Sequence, residues 1–347
     1  MKYYLKEEFL HDVNAKNAGN KARNDVESIV KEEGYHPLVL SVDNWYQMST
    51  LAAQRHKAKA FGQALDQLKQ GDELLIQFPM LHHSFFSTHL VKKAQKRGIK
   101  VYLLIHDLEV LRHANMTSLP LKHRIRMYLQ EASFLKAADG IIAHNPVMKS
   151  VLVDKGIDAD KIVSLGIFDY LIPNFQEKTG LTKNQPIIVA GNLAQEKAGY
   201  LYALPAEPAY NLYGVGFDES RALENETYFG SFLPDELPAA LEGGFGLVWD
   251  GDSAETCNGV FGEYLRYNNS HKASLYLASG FPLVVWKQSA LSHFVLEKGC
   301  GIAVESLHDL KETIDNLSDA DYQDLVDNAK RVGQEIRDGH YLKTALK

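Results

Sequence analysis

The stretch YNNSHKASLYLASGFPLVV, residues 267–285, decides the fold. Asn269 or Ser270 is a suitable N-cap, and the helix-compatible residues Ala273–Ala278 follow. Gly280 then stands where a helix commonly ends, and the apolar run Pro282–Trp286 predicts a strand. A helix that leads through a glycine into a short buried strand is the repeating unit of a parallel α/β sheet.

The same alternation extends along the chain, and the polar stretch Pro173–Gln185 separates two series of it. We therefore expect an α/β fold with two Rossmann-like domains facing a cleft: residues 1–172, residues 173–320, and a helical tail over residues 321–347. The predicted strands are Lys2–Leu5, Pro37–Val42, Glu73–Phe78, Lys100–Ile105, Gly140–Ala143, Lys161–Leu165, Pro186–Ala190, Tyr210–Gly214, Thr227–Tyr228 and Gly246–Trp249.

Length and composition exclude several classes of protein. With 347 residues, the chain is too long for one small core at roughly 150 residues per domain. It has 37 Lys and Arg against 44 Asp and Glu, a net charge of −7, so a bulk basic footprint for nucleic acid is absent. The 2 cysteines make no disulfide framework or zinc motif. No run has the length of a signal peptide or a membrane span, and we expect a cytoplasmic protein without a transmembrane segment.

Lys272 stands in the first turn of the predicted helix Lys272–Ser279. Cations are unfavourable at that end of the helix macrodipole, whereas the unpaired amides there bind anions. A diphosphate held between Lys272 and the amides would reconcile the two. The alternative interpretation is a capped surface helix with a solvated lysine.

A second candidate is the strand that runs into Gly191-Asn192. A glycine at the carboxyl end of a parallel strand lets a ligand approach the backbone, and Lys197 would add a phosphate contact. The segment is neither a GxGxxG nor a Walker A sequence, which weakens the alternative of an NAD-dependent dehydrogenase.

His106-Asp107 follows the most apolar predicted strand and would lie at the edge of the cleft. Asp107 is the candidate base for an acceptor hydroxyl, and His106 is a substrate contact or the alternative base. A helix N-cap is the competing interpretation of Asp107. Asn17 and Gly19 lie in a predicted loop after the first strand, where the glycine would let the backbone approach a donor. A plain tight turn is equally compatible.

Asp250-Gly251-Asp252 matches the Asp-x-Asp pattern of metal-holding glycosyltransferases. Two carboxylates at this spacing would hold Mg²⁺ or Mn²⁺ with diphosphate oxygens. In a doubly Rossmann-like protein, cationic side chains and helix amides already neutralise the leaving group. We therefore expect no metal and no cofactor, and a solvated turn or a sugar-contacting loop at this position.

Three ordered motifs resemble one group of GT-B glycosyltransferases: Gly191-Asn192 with Lys197, the segment Thr227–Pro238 (TYFGSFLPDELP), and the segment at 267–285. The group includes the accessory transferases that extend O-linked GlcNAc on bacterial serine-rich-repeat adhesins, and it is related to bacterial galactofuranosyltransferases. The resemblance implies that Lys272, Asn268 and Asn269 bind the donor diphosphate, with Ser270 in the same donor site. It also implies that Gly191, Asn192 and Lys197 border the diphosphate and that Tyr228 packs near the nucleotide. Asn268-Asn269-Ser270 replaces the Glu-rich motif of many retaining enzymes, so retention and inversion both stay open.

The resemblance also implies the reaction. A UDP-sugar, with glucose first, would be the co-substrate, and the acceptor would be GlcNAc on Ser or Thr of a serine-rich adhesin. A homodimer or homotetramer is expected from such relatives. Two alternatives are a galactofuranosyltransferase of surface polysaccharide and a catalytically silent glycan-binding partner of another transferase.

Overall fold

The computed structural model describes residues 1–8, 18–43, 45–113 and 131–347. The first half of the chain forms a parallel six-stranded sheet in the order β2-β1-β3-β4-β5-β6. Its strands are β1 Lys2–Glu8, β2 His36–Ser41, β3 Glu73–Phe78, β4 Lys100–Ile105, β5 Gly140–Ala143 and β6 Ile162–Ser164.

Helices connect these strands, as parallel pairing requires. They are α1 Ala18–Glu32, α2 Thr50–Leu65, α3 Ser87–Lys96, α4 Glu109–Arg112 and α5 Pro146–Asp154. Of the helix that the sequence predicts over Leu121–Ala137, residues 131–137 are helical and the remainder lies outside the described residues.

The second half forms another parallel six-stranded sheet, in the order β12-β11-β10-β7-β8-β9. Its strands are β7 Ile187–Asn192, β8 Tyr210–Val215, β9 Glu226–Tyr228, β10 Phe245–Val248, β11 Leu283–Trp286 and β12 Gly301–Val304. The helices are α6 Gln195–Ala198, α7 Leu237–Ala240, α8 Gly259–Tyr264, α9 His271–Ala278, α10 Ala290–Lys298, α11 Leu310–Asp315, α12 Asp319–Arg337 and α13 His340–Ala345.

The inner strands of both sheets are apolar along nearly their whole length because helices cover both of their faces. In β4, Leu103, Leu104 and Ile105 have no exposed surface, and every residue of β10 and β11 is buried. Such continuous runs, rather than alternating ones, explain why the sequence predicts parallel sheets.

Each sheet has one point at which the strand order reverses. In the second sheet the chain runs outward from β7 to β8 and β9 and then returns to the other side of β7 with β10. Open α/β sheets bind ligands at such a switch point, outside the carboxyl ends of the strands. The carboxyl ends of β7 and β10 are therefore the expected ligand site.

The tail helix α12 packs closely against α9. A Cβ on Gly333 would lie 2.1 Å from the Leu277 carbonyl oxygen, so only glycine permits this approach. Arg337 donates a hydrogen bond to the Ala278 carbonyl at 2.6 Å, and Tyr322 donates one to the Gly244 carbonyl at 2.7 Å. The tail is thus part of the packing around the second sheet.

The chain divides into two compact units. One comprises residues 1–15, 26–165 and 345–347, and the other comprises residues 16–25 and 166–344. The first turns of α1 therefore group with the second sheet. The domain limits expected from the sequence, at 172 and 320, stay predictions.

Candidate active site

The side chain of Lys272 lies at the switch point of the second sheet. Its Nζ donates a hydrogen bond to the Trp249 carbonyl and another to Asp250 Oδ1, both at 2.8 Å. These two residues follow β10, and the lysine Cδ lies 3.9 Å from where a Cβ on Gly191 of β7 would stand. Lys272 and Gly191, which the sequence predicts as donor-binding residues, are therefore neighbours.

Two backbone features shape this point. Gly191 has a φ of +118° and Gly251 a φ of +120°, which non-glycine residues rarely adopt. The pairing of β7 with β10 ends at Ile188. Just beyond it, the Ala190 amide donates a hydrogen bond to the Tyr276 hydroxyl at 2.7 Å. Tyr276 thus takes the place of a strand partner and leaves the end of β7 beside Lys272.

The amino end of α9 is the predicted anion site. Ser270, one of the two predicted N-cap residues, occupies the N-cap position of α9. Its side chain makes no capping hydrogen bond within the described residues, so the expectation of a side-chain cap is wrong. Asn269 is buried and donates to the Gly166 carbonyl at 2.7 Å. Asn268 Oδ1 and Ser274 Oγ are buried and have no hydrogen-bond partner in the part of the chain that the structure describes. This helix end therefore retains unused hydrogen-bonding groups.

His271 opens α9 and adds no positive charge there. Burial and, to a smaller extent, the nearby Lys21 charge lower its pKa to about 4, although a hydrogen bond with the Asp169 backbone acts in the opposite direction. The ring packs against Tyr170, with centroids 5.2 Å apart, and against Phe168. The cationic charge at this helix end comes from Lys272.

The remaining predicted donor residues of the second sheet are more dispersed. Asn192 Oδ1 accepts from the Ala194 amide at 3.0 Å, and Lys197 Nζ lies 5.4 Å from the centroid of the Phe261 ring. Tyr228 donates to the Gly214 carbonyl at 2.7 Å and lies on β9, the edge strand, separated from β7 by β8. Its predicted place near a nucleotide stays a prediction.

The predicted loop around Gly19 is wrong as to structure, because α1 begins at Ala18 and includes Gly19. Asn17 lies outside the described residues. In the next turn, Lys21 Nζ contacts Asp25 Oδ1 at 2.8 Å, Asp235 Oδ1 at 2.9 Å and the Leu171 carbonyl at 2.6 Å. The sequence pattern predicts a helix over Ala22–Glu33, and α1 starts four residues earlier. The contacts of Lys21 with Asp235 and Leu171 stabilise this earlier turn, despite the low helix propensity of glycine and asparagine. The donor-binding roles of Asn17 and Gly19 stay predictions.

The other group of polar side chains lies at the carboxyl ends of β3, β4 and β5. His106 Nε2 lies 2.8 Å from Gln77 Oε1. Asp107 Oδ1 pairs with Arg112 Nη2 at 2.7 Å, and its side chain is 40% exposed. Asp107 is therefore held in place by a cation and is still accessible. It is not the N-cap of α4, which is Leu108.

Two buried groups support this edge. The Glu131 carboxylate accepts hydrogen bonds from the Glu109 and Val110 amides at 2.8 and 2.9 Å, and burial raises its pKa to about 7. His144 is buried close enough to Asp107 for the carboxylate charge to raise its pKa, but burial dominates and lowers it to about 4. The imidazole of His144 is therefore neutral at neutral pH.

Sequence reasoning missed Arg112, which pairs with Asp107 from the short helix α4 that follows it. It also missed Gln77, Glu131 and His144, whose places at this edge depend on tertiary packing. At Asp250 it expected a solvated turn or a sugar-contacting loop rather than a metal site, and it did not predict a partner for this carboxylate. Asp250 is paired with Lys272, while Asp252 Oδ1 accepts from Asn258 Nδ2 at 2.6 Å. Across the described ranges there is no group of three or more His, Cys, Asp or Glu side chains placed to hold a metal ion.

Two parallel six-stranded sheets covered by helices are the architecture of the GT-B fold, and the expected fold class is confirmed. The chain belongs to the glucosyltransferase 3-like family. Residues 2–167 match the family's N-terminal domain, and residues 187–347 match its C-terminal domain. The protein is a glycosyltransferase, as the sequence resemblance implied.

The sequences of two named relatives align with nearly the whole chain. The β-1,6-galactofuranosyltransferase WbbI of Escherichia coli (strain K12) is 33% identical over 97% of this chain and 96% of its own length. Glucosyltransferase 3 of Streptococcus gordonii is 26% identical over 94% of this chain and 92% of its own. Both relatives are therefore matched across both sheets.

Solved structures share the fold at low identity. Sucrose-phosphate synthase from Thermosynechococcus elongatus superposes with a TM-score of 0.65 at 12% identity, covering 99% of this chain and 97% of that one. WaaG, a glycosyltransferase of lipopolysaccharide biosynthesis, gives 0.58 at 12%, covering 99% and 98%. Anabaena HepE, solved with UDP-glucose, gives 0.52 at 11%, covering 99% and 98%. In the described part of the chain, no helix combines the length and apolarity needed to cross a bilayer.

Proposed function

We propose that the protein transfers a hexose from a UDP-sugar to a hydroxyl group of a carbohydrate acceptor. The observation that carries this proposal is the position of Lys272 in the first turn of α9, where its side chain lies beside Gly191 at the switch point of the second sheet. A diphosphate placed there would meet one cation and the first-turn amides of α9. These groups would stabilise the negative charge that develops on the departing UDP.

Asp107 is the proposed base. As the acceptor oxygen bonds to the anomeric carbon of the sugar, its proton passes to the Asp107 carboxylate, and the bond from the anomeric carbon to the diphosphate oxygen breaks. The 40% exposure of Asp107 supports this role, since a base must be reachable by the acceptor. His106 is the alternative base, and Asn268, Asn269, Asn192 and Lys197 are proposed donor contacts.

The reaction is proposed to be independent of a metal ion. Support comes from the acidic side chains of the Asp-x-Asp segment, which already have partners: Lys272 for Asp250 and Asn258 for Asp252. The ammonium hydrogens of Lys272 and the first-turn amides of α9 would contact the diphosphate in place of a divalent cation. Addition of EDTA should therefore leave turnover unchanged. A loss of turnover in EDTA that only Mn²⁺ or Mg²⁺ restores would contradict this.

For the sugar and acceptor, the first candidate is glucose transferred to GlcNAc on Ser or Thr of a serine-rich-repeat adhesin. It rests on the family match to both halves of the chain and on the three ordered motifs. The second candidate is galactofuranose transferred to a surface polysaccharide, favoured by the 33% identity to a galactofuranosyltransferase. A cytoplasmic homodimer or homotetramer is proposed in either case.

The test pairs each donor with each acceptor. The protein is incubated with UDP-glucose or UDP-galactofuranose and with a GlcNAc-bearing peptide or a saccharide, and products are read by mass spectrometry. A hexose added to the peptide from UDP-glucose supports the first candidate, and a hexose added to the saccharide from UDP-galactofuranose supports the second. Absence of UDP release with every pair would indicate a silent glycan-binding subunit and reject the proposed function.

A further inference from the structure

Charge is distributed very unevenly between the two halves of the chain. Residues 1–165 contain 23 Lys and Arg against 18 Asp and Glu, whereas residues 166–347 contain 14 against 26. The first half is therefore cationic although the whole chain carries −7. A charge asymmetry of this kind indicates a partner or surface of opposite sign for the cationic half.

The cationic charge is concentrated around α2 and α3. No Asp or Glu occurs from Trp45 to Leu65 or from Leu74 to His106. On α2, Arg55 and Lys59 are exposed and four residues apart, so they share one face of the helix. On α3, Lys93 and Lys96 are exposed on one face in the same way. We call these four residues the basic stripes.

Exposed apolar side chains lie at the amino ends of the same two helices. The apolar patch consists of Tyr46, Met48, Leu51, Leu81, Phe85 and Phe86, with exposed fractions of 57, 38, 53, 37, 43 and 41%. Single exposed apolar residues are ordinary on protein surfaces, but a group of six that includes three aromatic rings is not.

Hydrogen bonds hold the two parts of the patch together. Gln54 of α2 accepts a bond from Ser84 Oγ at 2.8 Å through its carbonyl and one from the Phe85 amide at 2.9 Å through its side chain. Gln54 lies one turn after Leu51, so Phe85 is placed beside that leucine. The turn with Tyr46 is fixed to α2 by Lys57, whose Nζ lies 3.6 Å from the centroid of the Trp45 ring.

The basic stripes extend from this patch along each helix. Arg55 and Lys59 follow Leu51 at intervals of four residues and therefore share its face of α2. Lys93 and Lys96 follow Phe86 by seven and ten residues and share its face of α3 in the same way. Leu90 of α3 packs 3.7 Å from where a Cβ on Gly62 of α2 would stand, so the two helices are neighbours. One surface therefore combines protruding apolar side chains with cationic side chains.

We propose that this surface docks the protein onto an anionic lipid membrane. Apolar side chains would enter the boundary between headgroups and acyl chains while lysine and arginine contact anionic headgroups, the combination that binds peripheral proteins. Two other occupants fit less well. A symmetric contact with a second copy would bring the basic stripes against themselves, and a glycan would require more hydrogen-bonding groups than Met48, Leu51 and Leu81 offer.

The experiment is co-sedimentation of the full chain with vesicles of phosphatidylglycerol and phosphatidylcholine, compared with phosphatidylcholine alone, without any nucleotide-sugar. The expected result is binding to the anionic vesicles that weakens as salt is raised. Phe85→Ser with Phe86→Ser should lower the partition coefficient about tenfold or more, and so should Lys93→Gln with Lys96→Gln. Because no turnover is measured, the result is independent of the proposed function.

Matched controls lie on the second sheet. Leu296→Ser removes an apolar side chain of 57% exposure, and Lys287→Gln removes an exposed lysine, so both should bind vesicles like the unsubstituted chain. Melting curves that match the unsubstituted protein confirm that the patch variants fold. The proposal is overturned if the unsubstituted chain ignores anionic vesicles, or if the patch variants bind equally well. Self-association in sedimentation velocity that the patch variants abolish, without vesicle binding, would identify a second copy as the occupant and also overturn it.

Discussion

Lys272 Nζ and Asp250 Oδ1 lie 2.8 Å apart, and their side chains are only 15% and 7% exposed. The lysine proposed to bind the donor diphosphate is thus already neutralised by a buried carboxylate at the end of β10. Breaking a buried pair from one side leaves an uncompensated charge. Lys272 is therefore expected to contribute to stability as well as to donor binding.

Lys272→Ala should weaken UDP binding by about 2 kcal/mol, because a charge-assisted contact is lost. It should also lower the free energy of unfolding by roughly 3 kcal/mol, because Asp250 stays buried without its partner. Lys272→Met combined with Asp250→Asn should recover most of the stability but not the affinity. Calorimetry with UDP and denaturant titrations measure the two effects. An unchanged UDP affinity would remove Lys272 from the donor site.

Asp107→Asn should lower kcat by ~10²-fold or more with little change in the KM for the donor, because the base is lost and the donor contacts stay. Asp66→Asn is the matched control, since Asp66 also pairs with an arginine, Arg97, at 3.1 Å, far along the chain from β4. Steady-state rates with a soluble acceptor measure both variants. Equal rates for Asp107→Asn and Asp66→Asn would exclude Asp107 as the base.

The two carboxylate partners of Lys21 should differ in what they contribute. Lys21→Met should cost roughly 3 kcal/mol of unfolding free energy, because it leaves Asp25, only 6% exposed at the side chain, without its cation. Asp235→Asn should cost less than about 1 kcal/mol, since that side chain is 58% exposed and solvent screens the pair. Chemical denaturation measures both variants, and equal losses would contradict this ranking.

Glu131 should make the stability depend on pH. Burial raises its pKa from 4.5 to about 7, so between these values the folded chain binds a proton that the unfolded chain releases. The contribution of Glu131 is therefore fully present below pH 4.5 and is lost as the pH rises through about 7. Glu131→Gln should make the fall in unfolding free energy over this range less steep.

The control for Glu131 is Glu305→Gln. Hydrogen bonds from Gln288 and Lys287 lower the pKa of Glu305, so its carboxyl is ionised in both states over the same range. Denaturation curves across this pH range should show the unsubstituted slope for Glu305→Gln. A slope that Glu131→Gln leaves unchanged would disprove the assignment to Glu131.

The sequence predicted the central strands well, because burial on both faces makes them continuous apolar runs: β3, β4 and β5 have the predicted ends. It missed β12, whose four residues begin with glycine and show no periodicity. It also placed the start of α1 at Ala22, since only tertiary contacts of Lys21 reveal the earlier turn. The local hydrophobic pattern therefore predicts the buried strands, whereas tertiary contacts determine the residue at which an element such as α1 begins.

The sequence singled out Lys272 and Gly191 because each stands at a helix or strand end with a known chemical use. The structure makes them neighbours, and their donor-binding roles stay predictions. The nearness of Lys272 to Gly191 depends on β10 lying beside β7, and its contact with Asp250, 22 positions earlier, depends on the path of the chain after β10. Arg112 and Glu131 escaped because their hydrogen bonds depend on the conformation of the chain after β4, which spacing does not predict.

The close seat of Gly333 on the Leu277 carbonyl restricts how this enzyme can be recombined with its relatives. A foreign α12 with any side chain at position 333 would collide with the backbone of α9. A chimera that exchanges the second half of the chain, which is proposed to bind the donor, would therefore have to take residues 187–345 from a single parent. Truncation of the chain before Asp319 would remove α12 and so expose the face of α9 against which α12 packs. The carboxyl-terminal segment is thus a structural part of the second half of the chain and not an interchangeable appendage.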